Sequence, residues 1–383
     1  MAENIKHRLL IFYDYFYPAY KAGGPIQSLT NLMCLLQNEY DISVVTSAYD
    51  LNDDRVHDSI NLNAWNEVSI PNSSATIKIW YAASGEPRID TIKKIVKHAD
   101  PSVIYLNGMF SAGFVLKPLF TIKKIKIVIC PRGMLQVGAL AGKAFKKRIF
   151  LSALKLSGVV NKVSWHATNP GEAADIIREF GKLSKIFVAG NIPKRPVEKI
   201  SLSIKESGRL KLVYLSLVSE KKNLLQAINI IRGLKENISI DIYGPIKDET
   251  YWKKCMQAIN DSAGKARYMG DVLPQAVQDV FGNYHASILL TKGENFGHAL
   301  YESFSAGRPV ITSYFTPWND LVKIKAGWNV DITNDKDIVK AVNELYNMDQ
   351  SSFDEFCYGS YKLANEYYQQ GVDIADYKKM FSE

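Results

Sequence analysis

The chain has no CxxC pair and only four cysteines, Cys34, Cys130, Cys255 and Cys357, scattered over 383 residues. That scatter excludes a dense disulfide framework or a zinc ribbon and leaves free thiols in apolar surroundings. Neither HxH nor HExxH occurs, so no histidine pattern calls for a divalent metal, and no metal or cofactor is expected. No apolar run approaches the roughly 18 residues of a membrane-spanning helix. The opening MAENIKHRLLIFYDYFYP lacks the apolar core and small-residue cleavage site of a secretion signal, so the expected location is the cytoplasm. Short repeats and low-complexity tracts are missing too. One further absence is local: from Lys117 to Lys162 lysine and arginine recur and no acid appears, although the whole chain carries a net charge of only +8. Within that stretch the basic amphipathic segment Lys143 to Leu156 fits either a solvated helix face, an anionic lipid surface at the inner side of a membrane, or a phosphorylated substrate. Nucleic acid is excluded as a partner because the basic residues lack the interleaved aromatics of a stacking platform.

What remains is an ordinary globular composition, 47% hydrophobic and 22% charged, on a chain too long for one core. Short apolar runs alternate with helical periodicity. Strands are predicted at Arg8 to Tyr13, Asp41 to Ser47, Ile77 to Ala82, Ser102 to Gly108, Lys126 to Cys130 and Val163 to Asn169. The rhythm restarts at Leu210 to Val218, Ile238 to Gly244, Ala266 to Asp271, Ala286 to Lys292 and Arg308 to Tyr314. The runs are continuous rather than alternating, as strands buried on both faces of a parallel sheet must be. The expected fold is therefore α/β, with two Rossmann-like doubly wound domains facing across a cleft. The expected boundaries are 1–190, a linker at 191–208 with prolines and charges, and 209–360. A C-terminal helix over 361–383 would pack back on the first domain.

Chemistry should lie beyond the carboxyl ends of such strands. There the stretch GENFGHALYESFSAGRPVITS, Gly293 to Ser313, joins a strand to a helix through a glycine-bearing loop. Leu300 and Phe304 mark the core face of that helix, and Gly307 with Pro309 closes it. Backbone amides at Phe296, Gly297 and His298 suit a phosphate or diphosphate, because a helix start offers unpaired N–H groups and a positive dipole end. Glu294 and Glu302 would repel that anion unless they accept hydrogen bonds from hydroxyls, such as those of a ribose and a hexose. The plain alternatives are a helix-start acid and a solvated helix residue. Lys222, in SEKKN, is either a leaving-phosphate cation or a surface lysine. Gly23 and Gly24, before a helix opened by Pro25, allow close approach of a substrate or are only a turn. His298 is either a donor-binding residue or helix surface, and His166 is expected as a core histidine.

Glu294 and Glu302, with seven residues between them and followed by Ser305, Ala306, Gly307, Arg308, Pro309, Val310 and Ile311, resemble the E-x7-E signature of retaining glycosyltransferases of family 4, which have the GT-B fold. YFYPAYKAGGPIQSL, PRGMLQVGALAGKAFKKRIF, WHATNPGEAADI, GNIPKRP, YLSLVSEKKNLLQAI, IYGP and TPWNDL are similar to family segments in family order. The resemblance implies a nucleoside diphosphate-sugar donor in the second domain and a glycan or lipid-linked acceptor in the first. It implies that Glu294 contacts the donor sugar, Glu302 the ribose, and the Phe296 and Gly297 amides the diphosphate, with Asn295 and His298 beside them. It also implies a metal-independent reaction with retention, in which Lys222 and Arg132 offset the leaving charge. Two departures stand out: Leu217 replaces a family arginine, and the PRG loop offers Arg132 where many members carry histidine. A non-hydrolysing epimerase and an inactive sugar-nucleotide-binding protein are the alternative functions.

Overall fold

The computed structural model describes residues 6–71, 76–141, 144–182, 185–234, 237–370 and 373–383. It divides into two compact units. One runs to Ile192 and takes in the end of the chain from Val372; the other spans Pro193–Gly371.

The first unit carries β1 (His7–Phe12), β2 (Tyr40–Ser47), β3 (Trp65–Ser69), β4 (Thr76–Ala82), β5 (Val103–Asn107), β6 (Lys126–Cys130), β7 (Ser164–Ala167) and β8 (Lys185–Val188). Their order in the sheet is β3-β4-β2-β1-β5-β6-β7-β8, and only the β3/β4 pair is antiparallel. Successive side chains divide between two cores. Leu9 and Ile11 join Leu29 and Met33 of the helix Gly24–Leu36 on one face, while Leu10 and Phe12 join Ile104, Leu106 and Trp165 on the other. That two-sided burial is why β1 reads as an unbroken apolar run. The final helix, Ile374–Ser382, belongs to this unit: Tyr377 donates to the Gly190 carbonyl at 2.8 Å, and Lys126 donates to that of Met380 at 2.6 Å.

The second unit carries β9 (Leu210–Leu215), β10 (Ile238–Tyr243), β11 (Ala266–Gly270), β12 (Ala286–Leu289), β13 (Val310–Ser313) and β14 (Gly327–Val330), all parallel, in the order β11-β10-β9-β12-β13-β14. The order reverses between β9 and β12, so a crevice opens beyond their carboxyl ends.

Residues 191–208, read from sequence as a linker, are not loose at their far end. Tyr361 donates to the carbonyls of Val197 and Glu198, and Lys205, 3% exposed, donates to those of Tyr346 and Met348. Arg308 is fully buried and donates to the carbonyls of Gly307, Ser201 and Gly282. Its charge has no carboxylate partner in these bonds; carbonyl dipoles surround it. Burial accordingly pushes its pKa down, with the Cys357 thiol opposing. Among the described residues no helix is long and apolar enough to cross a membrane.

Arg308→Met keeps the volume but leaves the carbonyls of Gly307, Ser201 and Gly282 without this donor, a loss of about 3 kcal/mol. Thermal unfolding should fall by roughly 6–12 °C for a unit of this size, and an unchanged melting temperature contradicts this role for the guanidinium.

Candidate active site

The reversal in strand order sets the loops after β9 and β12 side by side. After β9 the chain makes one 3-10 turn, Glu220–Lys222, and leaves it through Asn223 in left-handed conformation at φ 56°. The Lys221 carbonyl accepts the Lys292 N–H at 2.8 Å and the Thr291 hydroxyl at 3.3 Å, which stitches the two loops together. Lys222 Nζ then donates to Glu294 Oε1 at 2.5 Å, with the two side chains 18% and 9% exposed. Two residues predicted from separate stretches are thus one ion pair.

More positive charge gathers around it. Burial pushes the Lys221 pKa down, opposed by Glu294, and the neighbouring Lys222 and Lys247 lower it further. Three ammonium groups share a neighbourhood with one paired carboxylate, a field that favours a polyanion. Lys247, in the loop after β10, was missed by sequence reasoning; the only signal was its place just after IYGP.

The loop leading into the next helix is anchored from behind. Glu294 N–H donates to the Phe315 carbonyl at 2.8 Å, and Trp318 Nε1 donates to the Phe296 carbonyl at 2.6 Å. The Phe296 ring is buried among Tyr301, Trp318 and Tyr367, so this side chain is a core anchor rather than a ligand-facing group. Gly297 sits at φ 81°, where a side chain is strained, and an added Cβ would press Leu300 Cδ1 at 3.1 Å. It starts the helix His298–Ser305 with no side-chain cap hydrogen bond, which sets the positive end of the helix dipole at this loop. Leu300 and Phe304 face the core. Asn295 and His298 are half-buried beside this helix start, with the His298 ring 4.7 Å from that of Phe296.

Glu302 is one turn further on. The residue is half-buried overall, but its carboxyl end is enclosed, and burial pushes its pKa up to about 7, with Lys194 opposing. Lys194 was not singled out from sequence, although GNIPKRP contains it.

In the first unit, Gly23 takes φ 82° and the helix begins at Gly24 with Pro25 in its first turn. The loop before it is held by Asp50, whose carboxylate accepts the Tyr20 and Lys21 N–H groups. Arg132 stands in left-handed conformation at φ 55°. Its guanidinium donates to Asn107 Oδ1 at 2.8 and 3.0 Å, to Asn191 Oδ1 at 2.9 Å and to Tyr105 OH at 3.2 Å. Tyr105 in turn meets His166 Nδ1 at 2.6 Å, and His166 Nε2 meets the Ala189 carbonyl at 2.8 Å. Since Nε2 must donate to a carbonyl, Nδ1 accepts from the tyrosine. Burial and then the Arg132 charge push the His166 pKa down to about 3, so the ring is a neutral core histidine. Every named partner of Arg132 is a neutral oxygen. A cavity of about 450 Å³ lies at the carboxyl ends of β1, β2 and β4, lined by Asp14, Tyr15, Tyr49, Asp53 and Asp54 among others. Asp14 accepts from the Ser111 hydroxyl at 2.8 Å, and burial raises its pKa. None of these lining residues was picked out from sequence.

Among the described residues no group of three or more His, Cys, Asp or Glu side chains forms a metal site. The one DxD triplet, Asp335-Lys336-Asp337, was missed in reading the sequence; it starts the helix Asp335–Asn347, where Asp337 accepts the Asp331 N–H.

This pairing of two Rossmann-like units is the GT-B fold. Residues 196–356 match the family model described as glycosyl transferases group 1. Sucrose-phosphate synthase of Thermosynechococcus elongatus superposes with TM-score 0.76 at 13% identity, over 98% of this chain and 97% of that one. HepE of Anabaena, solved with UDP and glucose, gives TM-score 0.67 at 11% identity over 98% of each chain. A TarM variant of S. aureus, solved with fondaparinux, an α-GlcNAc-glycerol and UDP, gives TM-score 0.71 at 12% identity over 99% of this chain and 100% of that one. At these identities the likeness is one of fold. No curated protein matches the sequence.

The enclosed Glu302 makes stability depend on pH. A carboxyl whose folded pKa is raised holds its proton more tightly in the folded state, so its contribution is whole below the unfolded value and is lost as pH rises through the folded one. Glu302→Gln should match the ligand-free wild type in denaturant resistance near pH 4.5 and exceed it above about pH 7. Parallel denaturation curves across that window contradict the enclosure.

Proposed function

We propose that the chain is a retaining glycosyltransferase of the family 4 type. It transfers a hexosyl group from a nucleoside diphosphate-sugar to a hydroxyl of a glycan or lipid-linked acceptor, in bacterial surface polysaccharide or lipid-linked glycan synthesis. The observation that carries this reading is the Lys222–Glu294 pair at the reversal point of a parallel sheet, beside an uncapped helix start. The UDP complexes of structural neighbours and the group 1 match over residues 196–356 support it.

The second unit holds the donor. The diphosphate lies at the start of the helix His298–Ser305, taking N–H donors from Phe296 and Gly297, with Asn295 and His298 alongside. Lys222 exchanges Glu294 for a phosphate oxygen, and Glu294 is thereby released to accept hydroxyls of the donor sugar. Glu302 accepts the ribose hydroxyls. As the bond between the sugar's anomeric carbon and the phosphate oxygen breaks, its electron pair leaves with the diphosphate. Lys222, helped by Lys221 and the helix amides, stabilises that growing charge more than the ground state. The acceptor oxygen attacks from the same face and its proton passes to the departing phosphate oxygen. Protein cations do the work that a divalent ion does elsewhere, so the reaction needs no metal. Lys221 and Lys247 compensate for Leu217.

The first unit holds the acceptor, near Gly23 and Gly24 and the cavity lined by Asp14, Tyr15 and Tyr49, where carboxylates and aromatic rings suit sugar hydroxyls and sugar faces. Arg132 acts there as an electrostatic and positioning group whose bonds to Asn107, Asn191 and Tyr105 hold the loop.

Lys222→Ala and Glu294→Ala should each lower kcat by about 10²–10³-fold, the range for removing one preorganised transition-state donor. Turnover should survive a chelator, and the product should keep the donor's anomeric configuration by proton NMR. Full turnover in either variant, or an inverted product, refutes the assignment.

A further inference from the structure

The helix Ala144–Leu156 packs on the first unit through Leu151 and Leu154, which are buried. A solvated helix on such a core should turn polar side chains outward. Here the outward face carries Phe145, Ile149 and Leu156, exposed by 77%, 55% and 88%. At 3.6 residues per turn these three fall within about 40° of one another, on the side opposite Leu151 and Leu154. Arg148 and Lys155 border that stripe on one side and Lys146 on the other, all exposed. Lys147 is engaged elsewhere: it donates to the Ala139 carbonyl at 2.5 Å and lies over the Phe110 ring. That bond ties down the short helix Val137–Ala141, which adds Val137, 72% exposed. No acidic residue occurs from Lys117 to Lys162 to offset these cations. Lys143, at the start of the basic segment in the sequence, lies outside the described residues.

We propose that this helix is a docking surface for an anionic lipid bilayer, lying in the plane of the headgroups with Phe145, Ile149 and Leu156 inserted and Arg148, Lys155 and Lys146 on lipid phosphates. The charge pattern selects this occupant. A protein interface core is depleted of charge, and a second copy of the chain would set like charges against each other across the stripe. An anionic bilayer offers apolar depth below a negative plane, which matches a stripe bordered on both sides by cations. The surface is separate from the proposed donor site, so docking and sugar transfer fail or hold independently.

Vesicle co-sedimentation of the full chain tests the proposal. With phosphatidylglycerol mixed into phosphatidylcholine the protein should pellet at low salt and release at high salt, and pure phosphatidylcholine should leave it in solution. Phe145→Ser with Ile149→Ser should weaken binding at least tenfold, as should Lys146→Gln, Arg148→Gln and Lys155→Gln combined, while thermal melting and donor binding in solution stay at wild-type values. Three results overturn the proposal: equal pelleting with both lipid mixtures, no pelleting with either, or full binding by the serine variant. A wild-type dimer in light scattering that the serine variant breaks, with no vesicle binding, would assign the stripe to a second copy instead.

Discussion

The second unit is organised around a salt link between loops 72 residues apart in sequence: Lys222 on Glu294. Both groups have given up most of their water, so each needs the other while the crevice is empty. Neither loop reaches the other by local folding. They meet because the strand order reverses between β9 and β12, which leaves the two following turns as neighbours with no crossover between them. The pair therefore keeps an otherwise unstable charge arrangement ready, with Lys221 and Lys247 adding positive potential and a single acid restraining it.

Much of the remaining structure serves to hold that arrangement still. The aromatic cluster of Phe296, Tyr301, Trp318 and Tyr367 lies behind the loop, and the indole of Trp318 fixes the Phe296 carbonyl. Arg308 binds the entering segment to the sheet, and Lys205 binds it to the end of the helix Asp335–Asn347, both through carbonyls. The first unit uses the same economy of acids. Arg132, Tyr105 and His166 form a directed relay that ends on the Ala189 carbonyl, and a neutral imidazole is the only form that fits. Buried cations in both units rest on neutral oxygens, which favours local order without neutralising the charge.

The α/β class and the doubly wound pattern were legible because strands buried on both faces must be continuously apolar. The strands that escaped reading break this rule. Trp65–Ser69 is an antiparallel edge strand with only Asn66 buried, Lys185–Val188 has none of its residues buried, and Gly327–Val330 is four residues long and begins with glycine. The acids and glycines around Gly297 stood out because a helix start has a fixed chemistry. The partnership of Lys222 with Glu294, the neutral surroundings of Arg132 and the cavity beside Asp14 did not, since each joins residues from several strands. The exposed Phe145, Ile149 and Leu156 were hidden for another reason: periodicity locates an apolar stripe but does not tell which of two opposed stripes faces the core.

The central claim is that the Lys222–Glu294 link is a placeholder for a nucleoside diphosphate-sugar. A crystal structure of the protein with such a donor tests it most directly. The account predicts Lys222 Nζ on a phosphate oxygen, Glu294 on sugar hydroxyls and Glu302 on the ribose. A donor bound with the Lys222–Glu294 link intact, and Glu302 touching nothing of it, would contradict the account.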